Sequence, residues 1–145
     1  ELVSAGHIGN ERTLQAYIWN HLLEKTIHKR HTGGAQDGQY VYYQDYILEV
    51  ELYDNDGHYP DLSFRNRNDL NDIFFAIEIK HHPSHDALSE REIQLLKQDL
   101  TNLIARDSPG ALIFTCPLEE LYTETIDALN HMTDDSVTVV TIECR

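Results

Sequence analysis

The chain has 145 residues, 41% hydrophobic and 25% charged, which suits a single domain, residues 1–145, built around one core. No apolar run approaches the roughly 20 residues that a membrane helix needs, and Glu1 to His7 lack the basic start and apolar centre of an export signal, so the expectation is a soluble, cytoplasmic protein. A formal net charge of −14 argues against a chain that holds nucleic acid unaided, because phosphate contacts draw on Lys and Arg.

The acid is unevenly spread. Residues 107–144 carry 8 acids and no Lys or Arg, which leaves 25 − 8 = 17 acids for the rest of the chain, where 10 of the 11 basic residues lie in residues 1–106. The acidic end should repel phosphate. The remainder, with Arg12, Lys29, Arg30, Arg65, Arg67 and Lys80, is less hostile to it. An opening Glu1 in place of Met fits either a processed product or a domain excised from a longer protein.

Residues 10–25 read as a helix: Asn10 is an N-cap candidate, and Leu14, Tyr17, Ile18 and Leu22 recur on one face. Glu11 falls on that face at i, i+3 and i+7 with Leu14 and Ile18, either because a first-turn acid suits the helix dipole or because it serves a site. Glu24 is the runner-up for such a role. His31 to Gln39 is a Gly-rich polar loop, expected to be mobile. Tyr40 to Tyr53 reads as a strand in which Leu48, Val50 and Leu52 point inward and Glu49 and Glu51 face solvent. The run Asp54 to Gly57 is a turn; residue 65 is Arg where a calcium loop would need Glu.

A strand over Tyr59 to Arg65 and a turn over Asn66 to Asn71 lead to the run Ile73 to Lys80, whose short length and β-branched or aromatic apolar residues predict a buried strand. Side chains alternate across a strand, so Glu78 and Lys80 share one face while Ile77 and Ile79 take the other. If Pro60-Asp61 pairs beside this strand, Asp61 reaches the same point, giving hard oxygen ligands suited to Mg²⁺ or Mn²⁺. His81-His82-Pro83-Ser84-His85 follows; Pro83 disfavours the helix that zinc binding by His81 and His85 would require, leaving a polar loop near the cleft that could touch phosphate.

Ser89 to Glu92 is a capping box opening a helix whose Ile93, Leu96, Leu100, Leu103 and Ile104 line one side, with Gln94 and Lys97 flanking. Asp107 to Gly110 ends it, Ala111 to Cys116 is a buried strand, Pro117 can start a third helix carrying Leu118, Leu121, Tyr122 and Leu129, and Val137 to Cys144 is a last strand. Cys116 and Cys144 read as reduced thiols in neighbouring strands, with a disulfide as the lesser alternative. The predicted order is αβββαβαβ.

Pro60-Asp61 followed by Glu78-Ile79-Lys80, set in this order of elements, resembles the PD-(D/E)XK nuclease superfamily over about residues 8–116. The resemblance implies a restriction-endonuclease-like α/β (α+β) fold, an αβββαβ core with a mixed central sheet flanked by helices, here with an extra C-terminal αβ unit. It implies a metal-dependent endonuclease that hydrolyses phosphodiesters, DNA ahead of RNA, in which Asp61, Glu78, the Ile79 carbonyl and Glu11 bind Mg²⁺ or Mn²⁺ and Lys80 activates or orients water. Arg65, Arg67, His81, His82, Gln94 and Lys97 are the expected substrate contacts. A double-strand cutter needs two sites, so a homodimer or an additional nucleic-acid-binding domain or subunit is expected, and no membrane. Two readings stay open beside this one: a nuclease-like interaction module without activity, and an ordinary ion-pair cluster around Lys80.

Overall fold

Two caps set where the helices begin, and through them where several acidic side chains fall. Asn10 Oδ1 accepts from the Thr13 amide at 2.8 Å, satisfying a first-turn N–H that has no partner within the helix, and α1 runs Glu11–Thr32. Ser89 Oγ accepts from the Glu92 amide at 3.2 Å while Glu92 Oε2 accepts from the Ser89 amide at 2.7 Å. This reciprocal box opens α2, Glu90–Ala105. The computed structural model describes residues 9–32, 46–51, 58–106, 108–117 and 120–143.

The strands are β1 (Tyr46–Val50), β2 (Leu62–Asn66), β3 (Asp69–His81), β4 (Gly110–Cys116) and β5 (Val137–Glu143), with α3 (Glu120–Met132) between the last two. They form one mixed sheet in the order β1-β2-β3-β4-β5. β1, β2 and β3 pair antiparallel, whereas β3–β4 and β4–β5 are parallel. Parallel neighbours need a long crossover, and α2 and α3 supply the two. The order αβββαβαβ is the one expected from the sequence. Among the described residues, no helix is long and apolar enough to cross a membrane.

Each face of the sheet has its own core. Ala76, Leu112, Phe114 and Cys116 pack with Leu96, Leu100 and Leu103 of α2 and with Tyr122 and Leu129 of α3. Leu62, Ile77 and Ile79 pack with Leu14, Ile18, Trp19 and Leu22 of α1. Strand alternation therefore puts Glu78 and Lys80 on the α2 side, with Ala76. The crossover into β4 is tight: a Cβ on Gly110 would stand 2.9 Å from the Ala76 carbonyl oxygen and 3.2 Å from Leu103 Cδ2, so only Gly fits.

Several local expectations need correction. α1 continues to Thr32, so His31 and Thr32 are helical. Tyr17 is half-exposed and Trp19 takes the inward place, because Leu14, Ile18 and Leu22 point one flank of the helix at the sheet and residue 17 sits off it. Val50 is exposed, and Glu51 ends the strand with φ 49, a left-handed conformation that breaks the alternation. The β2–β3 turn is Arg67-Asn68 alone, so β3 extends to 13 residues. α3 is helical from Glu120, later than Pro117. The expectations for residues 1–8, 33–45, 52–57, Asp107, Leu118 and Cys144 concern positions outside the described residues.

Candidate active site

β3 outruns its neighbour. Leu62, the first residue of β2, pairs with Ile77, so further along β3 the groups that would face β2 meet no strand. Alternation decides which groups these are. The His82 amide bonds the Thr115 carbonyl of β4 at 2.8 Å, hence Ile79 and His81 point the other way, into the gap. Two carboxylates occupy the place of the missing strand. Asp61 Oδ2 accepts from the Ile79 amide at 2.6 Å, and Glu11 Oε2 accepts from the His81 amide at 3.4 Å. The Ile79 carbonyl leaves the strand on the same side as its amide, so it too faces this notch.

Lys80 reaches the notch from the α2 side. Its Nζ lies 3.3 Å from Asp99 Oδ2 and 3.7 Å from Glu11 Oε1. Burial works to lower its pKa, but Asp99, Glu11 and Asp61 together outweigh burial and hold it above the ordinary lysine value. Glu78 is 7% exposed, and its carboxyl is pushed up to about 8, first by burial and then by the charges of Asp61 and Asp99. Asp61 is also raised, chiefly by burial, against the opposing pull of the Ile79 amide, Lys80 and a hydrogen bond with Glu78. The two carboxyls share a confined space, and burial together with their mutual charge holds both above the usual carboxylate range.

Among the described residues, no group of three or more His, Cys, Asp or Glu side chains is arranged to hold a metal ion. Glu11 is engaged by Lys80 and the His81 amide, and its charge also acts on Asp61. What the notch offers a cation is narrower than the sequence implied: the Asp61 and Glu78 carboxylates and the Ile79 carbonyl, with water for the remaining positions. These are hard oxygen donors. Two carboxyls this close together favour positive charge beside them. Oxygen donors of this kind are the type that Mg²⁺ or Mn²⁺ prefers.

The expected substrate contacts fare unevenly. Arg65 is fully buried; its Nε donates to Ser63 Oγ at 2.7 Å and its Nη1 to the Leu70 carbonyl at 2.7 Å, so its charge serves the β2–β3 hairpin and not a ligand. Arg67 occupies the hairpin turn, six residues from Asp61, about 20 Å along the strand from the notch. Gln94 and Lys97 are exposed on α2, turned away by helix periodicity from the flank that carries Glu92 and Asp99. His81 and His82 do lie at the notch end of β3. The His81 ring bonds the buried Thr115 hydroxyl, and His82 Nδ1 lies 3.7 Å from Glu92 Oε1. Glu24 is 13 residues beyond Glu11, about 20 Å along α1.

Two residues at the site escaped the sequence reading. Asp99 borders the apolar stripe of α2 beside Leu100, and an acid there was the signal to read. Gln15, 7% exposed, donates through Nε2 to the Asp61 carbonyl at 3.0 Å and to Glu51 Oε1 at 3.5 Å, while the Glu51 amide donates to the same carbonyl at 3.1 Å. The backbone that carries Asp61 is thereby tied to α1 and to the end of β1. No protein-family model, curated protein or solved structure matches the chain.

Proposed function

We propose that the chain is a divalent-metal-dependent nuclease that hydrolyses phosphodiester bonds, DNA ahead of RNA, on a restriction-endonuclease-like core. One observation carries the reading: Asp61 is seated on the Ile79 amide against Glu78, with the Lys80 ammonium from the same strand held over them. An ion-pair cluster kept only for stability has no physical need to crowd two carboxyls into one buried space beside a lysine.

A divalent ion bound by Asp61, Glu78 and the Ile79 carbonyl would act as a Lewis acid and lower the pKa of an attacking water. Glu78 would have to be ionised to serve as a ligand. Lys80, held above the ordinary lysine value by Asp99, Glu11 and Asp61 against the effect of burial, would orient water and offset the charge that grows on the phosphate oxygens. Glu11 and Asp99 hold the ammonium in place, and the Ile79 amide holds Asp61. Basic surface for the polyanion would come from a second copy or from an additional nucleic-acid-binding domain or subunit, because the chain itself carries −14.

The same charge favours one rival, a nuclease-like interaction module whose acidic end docks on a basic partner. Incubation with plasmid, linear single-stranded DNA and RNA in Mg²⁺ or Mn²⁺ separates the two. The nuclease reading expects metal-dependent cleavage that EDTA stops; no cleavage of any substrate would give the module reading the field.

A further inference from the structure

An ammonium on a four-carbon stem acts at a fixed point only if something holds it there. Lys80 has two holders, and they come from opposite faces of the sheet: Glu11 from the first turn of α1, and Asp99 from the middle of α2. Asp99 is the nearer, at 3.3 Å against 3.7 Å, and the drier, its side chain 23% exposed against 44% for Glu11. Both differences strengthen its pull, since screening by water grows with exposure.

Asp99 is also the better anchored. Its short side chain follows its backbone closely, and that backbone is fixed by the Ser89–Glu92 capping box at the start of α2 and by Leu96, Leu100 and Leu103, which are 3%, 0% and 1% exposed. Sequence-adjacent Leu100 is wholly within the core shared with Ala76, two residues before Glu78 on the same face of β3. The α2 core and the Lys80 ion pair are therefore two parts of one contact surface.

Deepening the nuclease reading, and resting on it, we infer that Asp99 is a positioning residue that holds the Lys80 ammonium at the Asp61–Glu78 notch and acts on the reaction chiefly through Lys80. Asp99 is not a ligand in this arrangement: its carboxylate is occupied by Nζ. Its effect belongs to the turnover step, since Lys80 acts on water and on the reacting phosphate.

A residue that works chiefly through another loses most of its effect once the other is gone. Wild type, Asp99→Asn, Lys80→Met and the double variant are compared in plasmid nicking under Mn²⁺, with Asp99→Glu as the conservative rescue and calorimetric Mn²⁺ titration alongside. Asp99→Asn should lower kcat about 10- to 100-fold, with KM and Mn²⁺ affinity changed less than about threefold. Asp99→Glu should recover part of the loss, and adding Asp99→Asn to Lys80→Met should cost much less than it does in wild type. An unaltered kcat in Asp99→Asn would overturn the inference, as would an equal additional loss in the Lys80→Met background. Thermal unfolding of the same four proteins gives a second cycle that needs no activity. It decides the contact if wild type cuts nothing, an outcome that removes the nuclease reading itself, and also if Lys80→Met is too slow to measure. Additive shifts in Tm would sink the Asp99–Lys80 coupling, and non-additive shifts would uphold it.

Discussion

Replacing Glu78 by Gln should change how stability depends on pH, and the size of the change follows from the crowding of the notch. The Glu78 carboxyl is held at about 8 in the folded protein against an ordinary value of 4.5. Between those values the folded state keeps a proton that the unfolded chain has lost. For an acid with a raised folded pKa, stability is greatest below the unfolded value and falls as pH rises towards the folded one. At about 1.4 kcal/mol per pKa unit the whole window is on the order of 5 kcal/mol, of which about 3 kcal/mol falls between pH 5 and pH 7.5. Gln mimics the protonated acid in shape and can donate to Asp61 as that proton does, but it cannot ionise. Urea unfolding of wild type and Glu78→Gln in EDTA, across a series of pH values, isolates the term in the difference between the two curves. The variant should gain on wild type steadily above about pH 5 and level off above about pH 8. Saturating Mn²⁺ should restore wild type and leave the variant little changed, because a ligand stabilises only the state that binds it. A difference curve that is flat across this range would show Glu78 ionised normally, and the electrostatic case for a cation at the notch would fall with it.

Three further outcomes are expected. Lys80→Ala should lose most plasmid cleavage while binding Mn²⁺ at least as tightly as wild type, since a like charge leaves the pocket, whereas Asp61→Ala should lose the ion as well; equal Mn²⁺ affinity in wild type and Asp61→Ala would remove Asp61 from the ligand set. Arg65→Met should destabilise by about 1–3 kcal/mol by orphaning the Leu70 carbonyl and the Ser63 hydroxyl, without changing affinity for a labelled oligonucleotide; a selective loss of affinity at unchanged Tm would return Arg65 to the substrate. Gly110→Ala should cost about 1–3 kcal/mol, because the new Cβ meets the Ala76 carbonyl oxygen at 2.9 Å, where a backbone atom must give way; an unchanged unfolding midpoint would mean that the β3–β4 crossover relaxes freely.

Local chemistry made much of this molecule readable in one dimension. Asn10 and the Ser89–Glu92 box announced two helix starts, because a cap is a contact between residues three apart. Alternation along Ile77, Glu78, Ile79 and Lys80 separated the two faces of β3, and the structure keeps that separation, with the isoleucines on the α1 core. The order of elements followed from the same periodicities.

Rules of this range reach no further than a turn or a strand, and the notch is made by longer contacts. That β2 begins late enough to leave the Ile79 and His81 amides to Asp61 and Glu11 depends on strand register. The burial of Arg65 depends on the β2–β3 hairpin closing over it, and a charged residue in a strand carries no local sign of which way it will turn. The meeting of Glu11 with Asp99 over Lys80 required two helices packed on opposite faces of one sheet. Ion pairs and raised carboxyl pKa values depend on distances and burial in space, and for residues 11, 61, 78, 80 and 99 these are set by tertiary packing alone.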